Sequence, residues 1–261
     1  MVQSFLQATA RTMKPPAPYG PFHLIFTLFG AGAGIFLARK FARKEHVQIT
    51  SLLFTCGLIL ALTEIYKQLF IYYIENNGSY DWWYFPFQLC SVPMYLGLLI
   101  PFVPQKLQNI FYTFIQDFGL LGGIMALAEP SGLMHSYWTL TIHGFLWHFI
   151  LIFMGLTCAF HSPAKNAQPD RKNHIETVRT YLPVIPLFLI CAAIATAINV
   201  LSHPYGNADM FYISPYYPNG QIVFHQISLV IGTFSGNCLY LASVLLGGFI
   251  IHTFCLERKT K

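Results

Sequence analysis

Charge is what this chain has least of. Only 10% of its 261 residues are Asp, Glu, Lys or Arg, and 55% are hydrophobic. Soluble domains average about 25% charged residues. A mean hydropathy of +0.51 agrees. So few charges cannot coat a water-facing surface, and the solvent the sequence fits is lipid. Paired cysteines are missing too. Cys56, Cys90, Cys158, Cys191, Cys238 and Cys255 are scattered, with no CxxC pair. That spacing argues against a zinc site and a secreted disulfide framework and leaves buried free thiols. There is no internal repeat and no loop long enough for a soluble domain. The first 20 residues, which include MKPPAPYGP, hold no apolar core ahead of a cleavage site, so no cleavable leader is expected. The net charge of +5 lies in loops between apolar runs and does not point to nucleic acid.

What is present is a series of seven apolar runs, at about 22–38, 48–72, 88–104, 109–127, 136–160, 181–202 and 225–255. A bilayer core of about 30 Å needs roughly 20 helical residues. Runs this long in lipid are helices, because a helix satisfies its own backbone hydrogen bonds and an open strand does not. The expected fold is an all-α polytopic membrane protein, a seven-helix bundle over 22–255. An extracytoplasmic segment (1–21) precedes it and a cytoplasmic tail (256–261) follows. The boundary between the third and fourth runs, at Pro104 to Gln108, is the shortest. Basic residues alternate with the loops. Segments 39–47, 104–108, 161–180 and the tail carry Lys or Arg, and 73–87, 128–135 and 203–224 carry none. The positive-inside rule then places the N-terminus outside and the C-terminus in the cytoplasm of a cell membrane. Arg11 and Lys14 run against it. The loop HPYGNADMFYISPYYPNGQ suits an interfacial cap or a lid. Gly30, Gly32 and Gly34 in one run, and Gly232 and Gly236 in the last, suit close helix packing.

Ionisable side chains inside a span cost about 2.5–3.5 kcal/mol each at its centre, so each needs a reason. Glu64 and Lys67 lie one helical turn apart on one face, as an internal ion pair or a headgroup contact. Asp117 follows Gln116 well inside the fourth run, as a helix–helix tie or a polar-site residue. In "HSYWTLTIHGFLWHFIL" His143 lies about 12 Å and His148 about 20 Å along the helix from His135. His143 and His148 are about 140° apart around the helix, so they do not form a metal pair as an i, i+4 spacing would. His148, near mid-membrane, is the best candidate for a general base.

The stretch YFPFQLCSVP sets Gln88 and Cys90 at the outer mouth of the third run. Pro86 suits a first helical turn and Pro93 a second. A thiol at a helix N-terminus gains nucleophilicity, and Cys with His is a known pair for acyl chemistry. Cys90 is equally a small apolar residue at a helix start. Depth counts against direct contact with His148, by about 10 Å, and favours His143.

Taken in order, "WYFPFQLCSVPMYL", "TEIYKQ", "IHGFLWHFILIFMGL" and "GNADMFY" resemble segments of the YwaF-type bacterial integral membrane proteins, over about residues 22–255. That family resembles animal multi-span lipid acyltransferases that pair a cysteine with a membrane histidine. More distantly it is similar to fatty-ester hydrolases of the androgen-induced type, with Thr and His. The resemblance implies an acyltransferase or acyl-ester hydrolase with His148 as the membrane histidine and base, and the residues themselves offer Cys90 as the nucleophile. Glu64, Lys67, Gln88, His143 and Asp117 would then contact substrate. Gln88 stands where the family usually has His, and the aligned cysteine position is Phe87. The expected partners are membrane lipids, with no cofactor and no nucleic acid. Two other readings use the same residues: a transporter or channel for a small polar solute, and a non-catalytic lipid-binding protein. A retinal site is disfavoured because no Lys sits deep in the last run.

Overall fold

The computed structural model describes residues 2–161 and 174–257. The expected basic residues Lys165, Arg171, Lys172, Arg258, Lys259 and Lys261 lie outside them. Eleven α-helices are assigned among the described residues: α1 Val2–Thr9, α2 Pro21–Phe41, α3 His46–Phe70, α4 Val92–Leu99, α5 Gln105–Phe114, α6 Leu120–Ala128, α7 Trp138–His161, α8 His174–Tyr181, α9 Val184–Ser202, α10 Ile222–Ile231 and α11 Thr233–Glu257. Two π turns extend or join them, Ile71–Glu75 after α3 and Ile115–Gly119 between α5 and α6. Among the described residues, six helical stretches are long and apolar enough to cross a membrane: Pro21–Phe41, His46–Glu75, Gln105–Ala128, Trp138–His161, Thr177–Ser202 and Thr233–Leu256. The shortest has 21 residues, about 31 Å of helix. The chain is therefore an all-helical protein with several membrane-length helices.

Two expected runs differ from straight spans. The third, 88–104, is a broken stretch, Leu89–Phe102. It consists of a 3-10 turn Leu89–Ser91, then α4, then a 3-10 turn Ile100–Phe102. Its prolines are the reason, since Pro93 and Pro101 carry no N–H to donate. The last run divides at Gly232, whose φ of +86° no L side chain adopts easily. α10 folds back on the start of α11, and a Cβ at Gly236 would collide with Ser228. Thus Gly232 serves as a hinge, and Gly236 as the contact.

Packing follows from small residues. α2 lies on α7, where a Cβ at Gly30 would collide with the Phe149 ring while Gly32 faces open space. α4 runs antiparallel along α3. Gly97 meets Gly57 there, and a Cβ at Gly97 would sit 2.8 Å from the Leu53 carbonyl oxygen. Leu53, Leu60, Phe114, Phe118, Leu151, Met154 and Phe188 fill the core between these helices.

The bundle has two distinct ends. At one, His46 bonds Gln108 (3.0 Å) and His161 Nδ1 bonds the Ala42 carbonyl (3.3 Å). At the other, Gln68 donates to the Tyr84 carbonyl, and Thr12 pairs with Tyr137 in an isolated bridge. Leu6 packs there against Phe70, Ile71 and Leu140. The loops without Lys or Arg, 76–88, 129–137 and 203–221, all gather at this second end. The basic segment 39–45 lies at the first.

Candidate functional site

At the second end a cavity of about 170 Å³ opens among α3, the 82–91 segment, the 130–135 turn, α7 and the 203–221 loop. Glu64, Lys67, Gln88, Cys90, His143 and His148 all line it. These residues span 85 positions of sequence, and helix packing brings them together. Two adjacent glycines of α6 approach Cys90 and His148. A Cβ at Gly122 would lie 3.7 Å from the Cys90 Cβ, and one at Gly123 would lie 3.2 Å from the His148 carbonyl oxygen. The backbones of both residues therefore rest on one turn of α6.

His148 is buried at 8% exposure. Its Nδ1 is 2.7 Å from the Gly144 carbonyl. A carbonyl only accepts, so Nδ1 carries the proton and Nε2 holds the free lone pair. His143 packs over Trp147 at 5.5 Å between ring centroids. Its Nε2 is buried without a hydrogen-bond partner. Trp147 Nε1–H donates to the Cys90 carbonyl at 3.2 Å. Cys90 is a free thiol. It lies in the 3-10 turn before α4 and not in the first α-helical turn, which opens at Val92.

Glu64 and Lys67 form an ion pair of 2.7 Å. Gln68 Nε2–H also donates to Glu64, at 2.7 Å. Lys67 Nζ sits 5.9 Å from the Tyr84 ring centroid, within reach of a cation–π attraction. His135, at the mouth and outside the helices, also lines the cavity. Burial, and then the Lys67 charge, hold its pKa below the usual histidine value, so it favours the neutral form. Among the described residues, no three His, Cys, Asp or Glu side chains come together as a metal site.

Two expected site residues are placed differently. Gln88 lines the cavity, yet its amide is committed elsewhere. Its Nε2–H donates to the Asp209 carbonyl (2.9 Å), and its Oε1 accepts from the Phe211 N–H (2.8 Å). Gln88 is thus a strut between the third run and the 203–221 loop. Asp117 does not line the cavity. It lies in the π turn at 0% exposure, accepts from Gln116 (2.8 Å) and pairs with His252 Nδ1 (2.9 Å). The helix–helix tie that the sequence suggested is the geometry observed.

The 203–221 loop, expected as a cap or lid, supplies a lining residue that was not selected. Tyr212 projects into the cavity wall. Phe211 and Tyr212 have φ of 58° and 57°, the left-handed region, which costs a non-glycine residue about 1–3 kcal/mol. The surroundings hold them there. Asn199 bonds both the N–H and the carbonyl of Met210, Asn219 donates to the Tyr212 carbonyl, and Phe211 stacks on Phe87 at 6.0 Å. The Tyr/Pro/Asn-rich composition of the loop was the available signal for a built cap. Ser91 and Trp147 also line the cavity without having been selected.

Asp209 belongs to the same cap. Burial pushes its carboxyl up to about 6, opposed by a hydrogen bond from the Ser214 N–H. An unfolded Asp titrates near about 4. A raised carboxyl stabilises the fold fully below the unfolded value and loses that contribution as pH rises through the folded one. Asp209→Asn is therefore expected to raise the melting temperature of detergent-solubilised protein relative to wild type above about pH 6. The advantage should disappear near about pH 4. An equal shift at both pH values would contradict this account.

A model of the TMEM164 family, a multi-span membrane family, matches residues 18–235. No curated protein and no solved structure matches the chain. The YwaF-type label remains a resemblance. With most of its length covered by one family model, and with its membrane-length helices, the chain belongs to the TMEM164 family.

Proposed function

We propose that the cavity is a site of lipid acyl transfer or acyl-ester hydrolysis, in a protein that crosses a cell membrane seven times with its N-terminus outside. The topology rests on the two ends of the bundle. The Leu89–Phe102 stretch carries the chain from the Gln68 end of α3 toward its His46 end, where Gln108 bonds His46. Counted with the six long helices, it makes seven passes. The loops poor in Lys and Arg then share one side, which the positive-inside rule makes the outer one.

One observation carries the chemical reading. Cys90 and His148 line the same cavity, and the Gly144 carbonyl holds the imidazole with Nε2 as acceptor. That is the tautomer a general base needs. In the proposed cycle the Cys90 sulfur attacks a lipid acyl carbonyl and its proton passes to His148 Nε2. The ester C–O bond breaks, and the departing alcohol takes that proton. Water or a second lipid alcohol then opens the thioester. Activation falls to His148, because Cys90 precedes α4. Lys67, neutralised on one side by Glu64, offers a cation to a phosphate-bearing headgroup. His143 and Trp147 also line the cavity.

The test is acyl turnover in vesicles of phosphatidylcholine and phosphatidylethanolamine carrying the purified protein, followed by mass spectrometry of the lipids. Cys90→Ala is expected to bring turnover to the empty-vesicle background. Turnover equal to wild type in Cys90→Ala would sink the proposal.

A further inference from the structure

The pair Asp117–His252, unused by the cavity, continues to a third residue. His252 Nε2 lies 2.9 Å from the Thr180 hydroxyl. Asp117 Oδ2 lies 2.9 Å from His252 Nδ1. The order is carboxylate, imidazole, hydroxyl, assembled from the π turn, α11 and α8. A carboxylate accepts, so Nδ1 carries a proton, and in the neutral imidazole Nε2 is the acceptor that faces the Thr180 hydroxyl. This is the bonding order that activates a hydroxyl nucleophile on unrelated folds. Burial is graded along it. Asp117 is 0% and His252 3% exposed, whereas Thr180 is exposed. The base and its orienting acid are thus dry, and the residue that carries the hydroxyl lies at the surface. The Tyr181 ring packs on the imidazole at 5.5 Å between centroids, and its own hydroxyl is bonded to the Leu245 carbonyl. Thr180 also lies within 3.1 Å of the Thr177 carbonyl, an alternative acceptor that keeps the side chain on this face. Thr180 is 22 residues before Ser202, about 33 Å along a helix. It sits at the opposite end of the bundle from the cavity.

We propose that Thr180, His252 and Asp117 form a second nucleophilic site, facing the other membrane surface, that accepts acyl esters presented from the membrane–water interface. Thr180 Oγ1 bonds to the ester carbonyl carbon, and its proton goes to His252 Nε2. The ester C–O bond breaks and the alcohol leaves with that proton. Water then hydrolyses the acyl-threonine. Asp117 is a positioning residue that holds the imidazole tautomer.

A fluorophosphonate tests this on the full-length protein in vesicles. Oγ1 would bond to phosphorus and fluoride would leave, giving a stable adduct located by peptide mass spectrometry. The expected result is an adduct on Thr180, absent in Thr180→Val and formed at least about 100-fold more slowly in Asp117→Asn. His252→Gln is expected to remove it, and Cys90→Ala to leave it unchanged, which separates this site from the cavity. No adduct on Thr180 in the wild-type protein would overturn the proposal, and that measurement needs no variant to fold. An adduct forming at the wild-type rate in Asp117→Asn and His252→Gln would overturn it equally.

Discussion

His148→Ala is expected to lower acyl turnover in reconstituted vesicles by at least about 100-fold while the protein stays folded. The size follows from the role. A positioned general base contributes about 10²–10⁴-fold, and His148 presents Nε2 to the site with Nδ1–H held by Gly144. The fold should survive for a local reason. That bond lies within α7, four residues back, and the removed ring borders space that is already open. Truncating it should cost about 2 kcal/mol, which thermal unfolding in detergent would read. Turnover in His148→Ala above a tenth of wild type would remove His148 from the base role. Intact acyl chemistry together with lost flux of a polar solute would favour the transporter reading of the same residues.

Lys67→Met is expected to destabilise the protein strongly, and the double variant Glu64→Gln/Lys67→Met is expected to recover most of the loss. Glu64 is 5% exposed, and its carboxylate is held by Lys67 at 2.7 Å and by Gln68. Removing the lysine leaves a buried carboxylate with one neutral donor. Breaking a buried pair in this way costs about 3–5 kcal/mol, while replacing both partners is close to neutral. The Gln68 bond and the partial exposure of Lys67 place the expected loss near about 3 kcal/mol. The double variant carries the functional information. If Lys67 meets a lipid phosphate, the stable double variant should still lose turnover on phospholipids. If the pair only fixes packing, turnover should return with stability.

Residues distant in sequence met in ways that hydropathy does not encode. The ion pair of Glu64 and Lys67 was legible because its spacing is one helical turn. Gly30 was legible because small residues mark close contacts in lipid, whereas Gly32 of the same run faces open space. Gln88 lines the cavity as expected, but its bonds to the 203–221 loop were not legible. An amide at a helix mouth looks like a ligand, and only the arrival of the 203–221 loop turns it into a strut. For Asp117 a tie was legible, but that α11 supplies His252 to it was not. A proline-distorted start of the third run was legible, but that Cys90 and His148 line one cavity was not, because it depends on the close approach that Gly122 and Gly123 allow α6.

By itself the sequence determined the solvent, the all-helical class and the sorting of loops by charge. Each is a property of composition along one axis, and lipid penalises every unsatisfied backbone group the same way wherever it lies. Tertiary structure alone decided which polar side chains share a space. That depends on rotation of each helix about its axis and on a few contacts closer than a methyl group allows. Those are set jointly by residues from different helices, so no single stretch of sequence carries them.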